Sequence, residues 1–202
     1  MIVKINKKTD TIWNYLIEKI GNPNGAAALM GAMYAVSTLK PNLVNTHGLA
    51  SYPTMNAYTE IVNNGNRPMS IFVNDGYSYG ICQWNWWVSK QGLFNTARKA
   101  KKSIGSLKVQ LDFLWDELHT NQNHSSLDQL MAATDRMDVC LAAAYDYMKS
   151  QNKNLQIGAV SHFANQFYDY YFMHNTLEAI EKKYENDGRE ETKETAGLGE
   201  QC

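Results

Sequence analysis

Apolar residues recur at helical spacing over most of this chain. In "TDTIWNYLIEKIG", Ile12, Trp13, Leu16, Ile17 and Ile20 share one face, predicting a helix capped by Asp10 or Thr11 and stopped by Gly21. "GAAALMGAMYAV" is rich in small residues and predicts a helix able to pack closely on another element. Asn24 can cap it, and Pro41 limits how far it runs. "SLKVQLDFLWDELH" sets Leu107, Leu111, Leu114 and Leu118 in one stripe behind a Ser106 cap. Further helices are predicted across 89–101, 126–133, 136–149, 155–172 and 176–185. Within "HFANQFYDYYFMHN", Phe163, Phe167, Tyr170 and Tyr171 recur at helical spacing, which favours core over an exposed interface.

The periodicity lapses between about 42 and 88. This stretch is rich in Asn, Gly, Pro and Tyr, and holds one β-like run, "MSIFV", before "NDGYSYG". A long irregular insertion in a helical domain is usually functional or disordered, and the aromatic content argues for function. From Asn186 onward "NDGREETKETAGLGEQC" is polar and aperiodic, which predicts a disordered tail or linker over 186–202 behind a domain at 9–185.

Composition narrows the function classes. With 202 residues, 44% of them hydrophobic, the chain can bury one ordinary core. Nineteen Lys and Arg against twenty Asp and Glu create no field of the kind that draws nucleic acid or an acidic membrane. No apolar run approaches the roughly 20 residues needed to span a bilayer, and the N-terminal stretch lacks a signal-peptide pattern. Cys82, Cys140 and Cys202 form no metal spacing and are odd in number, so they read as buried or incidental thiols. The five scattered histidines lack zinc-binding spacing. Neither a metal nor a cofactor is expected.

The residues that suggest chemistry lie in "NDGYSYGICQWNWWVSKQGLFNTARKAKK". Trp84, Trp86 and Trp87 follow Tyr77 and Tyr79, with Gln83 among the rings and Lys90 beyond them. Flat aromatic faces beside amides suit sugar rings, which offer apolar C–H faces and hydroxyl edges. At least one of these tryptophans is expected to anchor the core instead.

Five ordered segments resemble the phage tail-type lysozyme domain of tail-associated and conjugation-associated peptidoglycan hydrolases. They are "IWNYLIEKIGNPNGAAALMGAMYA", "STLKPNLVN", "AYTEIVNNG", "GYSYGICQW" with its Gly-x-x-Gln-Trp signature, and "KKSIGSLKVQLDFLWDEL". The resemblance runs from residue 11 to about 119, and more loosely to about 172. It implies a mainly α, lysozyme-like domain with a small β or loop lobe beside a saccharide cleft, acting on the β-1,4 bond of peptidoglycan. It also implies a wall-facing setting in a phage virion or conjugation apparatus, whose proteins or further domains would be additional partners. The glycan is expected to meet Tyr79, Gln83, Trp84, Asn85 and Trp87, with Lys90 toward charged or peptide parts of the substrate. Lys90 keeps the charge of a common family arginine without its bidentate fork, and Asn85 replaces a frequent threonine.

One departure is severe. The resemblance places the catalytic glutamate one residue before Ser37, and that residue is Val36. Glycoside cleavage needs a protonated carboxyl to give its proton to the leaving oxygen, and lysozyme is the standard case. Valine has no proton to give, and losing general acid catalysis costs a factor of about 10² to 10⁴. Whether the chain is an enzyme therefore turns on Val36. Asp75 and Glu60 are the candidates for a relocated acid, each also readable as a solvated loop charge. Three readings follow: a glycan-binding domain with hydrolysis absent or strongly reduced, a muramidase using Asp75 or Glu60, and a non-catalytic module of a phage tail or conjugation apparatus.

Overall fold

The computed structural model describes residues 2–47, 54–120 and 122–174. The helix predicted at 176–185 and the tail at 186–202 lie outside them. The described residues form α1 (Lys7–Ile20), α2 (Pro23–Ser37), β1 (Val44–Asn45), α3 (Met55–Asn63), α4 (Met69–Asn74), β2 (Ser78–Tyr79), α5 (Trp87–Ala100), α6 (Leu107–Leu118), α7 (His124–Ala132), α8 (Met137–Gln151) and α9 (Ile157–Tyr168). A π turn, Asp169–Met173, extends α9.

The helical half is assembled around α2, which is buried along nearly its whole length and packs on α1, α7, α8 and α9. Its small residues permit that approach. A Cβ added at Gly31 would sit 2.5 Å from the backbone nitrogen of Ala164 on α9, closer than any real contact. Ile12, Leu16 and Ile20 of α1 close one side of this core. Its predicted caps need correcting: Asn6, not Asp10 or Thr11, caps α1 through a reciprocal box with Thr9, and Gly21 ends it at φ 70°. Asn22, rather than Asn24, caps α2, with Pro23 in the first turn, where its missing N–H costs nothing.

The second lobe, from β1 to the start of α6, differs from expectation at "MSIFV". This run forms α4, not a strand. Pro68 fixes the entry backbone, its carbonyl accepts the Ile71 and Phe72 N–H groups, and the sequence neighbours Phe72 and Val73 are both buried. An alternating strand could not bury two neighbours on one face. The sheet is minimal: β1 and β2 pair antiparallel, Val44 opposite Tyr79 and Asn45 opposite Ser78.

At the far end of the chain, Phe163, Phe167 and Tyr171 enter the core as the periodicity predicts, while Tyr170 is 43% exposed. The wider π turn carries the buried stripe from Phe167 to Tyr171, four residues on, and swings Tyr170 outward. Tyr171 stacks on Trp13 with ring centroids 4.7 Å apart and donates to Asp10 at 2.7 Å.

Candidate functional site

The C-terminal turn of α2 meets the hairpin tip Gly80–Gln83, and this corner contains Val36. Val36 is half-buried and packs against the core. The next residue makes the junction: Ser37 Oγ donates to the Ile81 carbonyl at 2.7 Å and lies 2.9 Å from Met33 O of its own helix. It also accepts the Leu39 N–H at 3.1 Å. Beyond it the chain turns sharply through Thr38 and Leu39, both in the left-handed region at φ 50° and 58°. Two successive non-glycine residues there cost on the order of 1 kcal/mol each, so the surrounding packing must hold them. Buried Leu39 and the Ser37 hydroxyl do so.

The hairpin tip is clamped from several sides. Tyr79 and Trp84 exchange backbone hydrogen bonds at 3.0 and 2.9 Å, and Gly80 (φ 82°) turns the chain between them. The Gly80 N–H donates to Leu43 O at 2.9 Å. Gln110, fully buried on α6, accepts the Ile81 N–H at 2.9 Å while its amide nitrogen donates to Pro41 O and Ile104 O at 2.6 and 2.7 Å. One side chain thus ties the loop after α2, the hairpin tip and the segment before α6 together. On the α8 side, Asn152 Nδ2 donates to Cys82 O at 3.1 Å.

The residues expected around a sugar divide sharply. Gln83 is buried in the left-handed region, and its amide donates to Gly80 O and Leu43 O at 2.9 and 3.2 Å, so it braces the corner. Tyr79 is fully buried, its hydroxyl 2.7 Å from Thr59 Oγ1. Trp84 is also fully buried, against Phe113, and its indole N–H donates to Glu117 at 2.8 Å. Both rings are committed to the interior, which corrects their expected place on a stacking surface. Asn85 is exposed, and its side-chain amide donates to Gln151 O at 2.6 Å. Trp87 is 51% exposed beside Trp86 at 45%, their ring centroids 6.5 Å apart. A cavity of about 590 Å³ opens beside Trp86 between α5 and α6, with Asn95, Asp116 and Glu117 on its wall.

Lys90 also departs from expectation. It has no exposed surface, and its ammonium bonds Asp75 Oδ1 at 2.5 Å and Tyr77 O at 3.0 Å. Burial pulls the Lys90 ammonium below its ordinary range, and the hydrogen bond to Asp75 opposes that shift. The Asp75 side chain is 3% exposed and takes Arg67 at 3.0 Å, the Tyr58 hydroxyl at 2.6 Å and the Tyr77 N–H at 2.9 Å on its two oxygens. With both oxygens occupied and its side chain almost wholly covered, Asp75 braces the lobe rather than facing a substrate. Glu60 is exposed on α3.

Glu117 attracted no attention in the sequence, yet it accepts Trp84 Nε1, Ser89 Oγ at 2.5 Å and Tyr147 Oη at 2.5 Å. Only its place in a helix with acidic neighbours was visible. Burial, then the Glu117 charge, raise both the Cys82 thiol and the Tyr147 hydroxyl well above their usual ranges, so Cys82 is an inert core thiol.

Residues 7–171 match the phage tail lysozyme family. The chain belongs to that family. No curated protein and no solved structure matches it. Family membership supplies peptidoglycan as the substrate class, and the mainly helical build with a two-strand sheet accords with a lysozyme-like fold. Among the described residues no helix is long and apolar enough to cross a membrane, and no group of His, Cys, Asp or Glu could hold a metal ion.

Proposed function

We propose that this domain binds peptidoglycan glycan strands along the corner between α2 and the Gly80–Gln83 hairpin, with hydrolysis of the β-1,4 bond absent or strongly reduced. The observation that carries the reading is Val36. It occupies the last turn of α2, beside a strained and fully braced corner, without a carboxyl group. The corner has kept its bracing by Ser37, Gln83 and Gln110 while lacking the proton donor. Asp75 offers no substitute because Lys90 and Arg67 hold it in the interior. Trp87, with Trp86 next to it, offers the exposed aromatic surface for sugar rings, and exposed Asn85 directly precedes them in the chain. The phage tail lysozyme family supports a virion or cell-wall setting.

The test compares peptidoglycan solubilisation by the chain and by Val36→Glu. The parent is expected to be inactive, and the variant to gain activity by a factor of about 10² or more, the usual worth of a positioned general acid. A lytic parent, with Val36→Glu no better, overturns the reading. Binding of chitooligosaccharides, weakened by Trp87→Ala, checks the glycan surface independently of catalysis.

A further inference from the structure

Where α1 begins, its first turn faces the end of α2 across a cavity of about 310 Å³. Lys4, Lys8 and Lys40 converge on its wall, joined by Tyr34, Thr9 and Thr38. No carboxylate lines it. Among the described residues the ion pairs involve Arg67, Lys90, Lys108, His124 and Arg136, and none engages these three lysines. Asp10, the one acid in the first turn of α1, is taken up by the Tyr171 hydroxyl at 2.7 Å. The α1 N-terminus, capped by Asn6 on the same wall, adds positive potential from its aligned peptide dipoles.

Three cations gathered around one concavity repel each other unless something anionic joins them. Lys8 registers that repulsion: burial first, and the charge of Lys40 second, pull its ammonium below the ordinary range. The negative charge of an oxyanion would oppose both effects. Thr38 lines the cavity and stands two residues after Val36, so the pocket lies at the same end of α2 as the corner where the glycan is proposed to lie. The acidic groups of a peptidoglycan strand are the carboxylates of its peptide stems and, on a sugar that carries no stem, the carboxylate of the lactyl ether.

We propose that the Lys4–Lys8–Lys40 pocket binds a carboxylate of the peptide stem of a glycan strand seated in the Val36 corner. The proposal rests on the glycan-binding reading. It makes the domain a reader of stem-bearing strands, distinguishing them from bare chitin-like sugar.

Calorimetric titration tests it with four probes: a neutral chitooligosaccharide, a disaccharide-tetrapeptide, the free tetrapeptide, and poly(glycerol phosphate) as the alternative oxyanion. The stem-bearing disaccharide should bind more tightly than a chitooligosaccharide of equal sugar length, with the gap narrowing as salt rises. Lys8→Gln and Lys40→Gln should each shrink that gap about threefold, the scale of one partly exposed charge contact. Both variants should leave chitooligosaccharide affinity unchanged. A gap that survives both substitutions overturns the proposal, as does an equal loss for both sugars, which would mark a structural role. Tighter lysine-dependent binding of poly(glycerol phosphate) overturns it in favour of a phosphate polymer. If chitooligosaccharides fail to bind while the free tetrapeptide binds in a lysine-dependent way, the pocket stands and the glycan corner falls. If no probe responds to either substitution, the pocket falls as well.

Discussion

The two lobes are stabilised by different means. The half built around α2 is held by close apolar packing, as at Gly31 against Ala164 and in the Ile12, Leu16 and Ile20 stripe. The lobe from β1 to α6 has aromatic rings too, but its chain path is set by buried polar side chains: Asp75 between Arg67 and Lys90, Gln83 on Leu43 O, and Gln110 across three segments. A short, irregular lobe has little regular backbone pairing with which to satisfy its own N–H and C=O groups, so side chains satisfy them. Residues that look like ligand contacts by type can therefore be structural in such a lobe.

The largest effect should come from Lys90→Met. The substitution leaves Asp75 buried with one cation fewer, and breaking one side of a buried pair typically costs about 3–5 kcal/mol. Arg67 and Tyr58 remain on the carboxylate, so the lower end is expected. Urea denaturation measures it, and a double-mutant cycle with Asp75→Asn returns the coupling. Had Lys90 faced a substrate, the same change would weaken glycan binding and spare stability. That outcome would erase the contrast between the lobes.

A pair of smaller changes sharpens the comparison. Gln110→Leu orphans the Ile81 N–H and the carbonyls of Pro41 and Ile104, for a loss of about 3 kcal/mol. Hydrogen exchange should rise first around residues 39–45 and 80–84. Gly31→Ala instead drives a Cβ into the α9 backbone, which cannot move aside by changing a rotamer, and about 1–3 kcal/mol should be lost. Its exchange should rise across α2 and α9 together, leaving the hairpin tip protected. Identical exchange patterns in the two variants would mean that the lobes unfold as one unit and that the difference in bonding has no consequence.

What was legible in the sequence follows the same divide. The stripes of α1 and α6 and the small-residue face of α2 repeat within a few residues, so spacing exposes them. "MSIFV" misled because a short apolar run carries too few periods to separate helix from strand. Trp84, Gln83 and Lys90 were read as ligand contacts because their partners stand far away in sequence: Glu117 for Trp84, Leu43 for Gln83 and Asp75 for Lys90. Val36 was singled out for the opposite reason, since the resemblance places the acid by its immediate neighbour Ser37. The lysine pocket joins residues 4–9 to 34–40, and no local pattern reveals that convergence.

The smallest predicted effect concerns alkaline pH. The Tyr79 hydroxyl is raised well above its ordinary value by burial, against an opposing hydrogen bond from Thr59. Because the folded-state pKa exceeds the unfolded value near 10, the folded protein holds more protons above that pH. The stability contributed by neutral Tyr79 is thus fully present below about pH 10 and drains away as pH rises toward the folded pKa. Tyr147, raised by burial and the Glu117 charge, acts in the same direction. Urea midpoints should therefore fall with increasing steepness above pH 10, and Tyr79→Phe should reduce that slope. At pH 7 the same variant should lose only about 1 kcal/mol, because Thr59 Oγ1 still has the Met55 carbonyl at 3.1 Å. A slope unchanged by Tyr79→Phe would place the alkaline weakness elsewhere, with Tyr147 at the boundary of the two lobes as the next residue to replace.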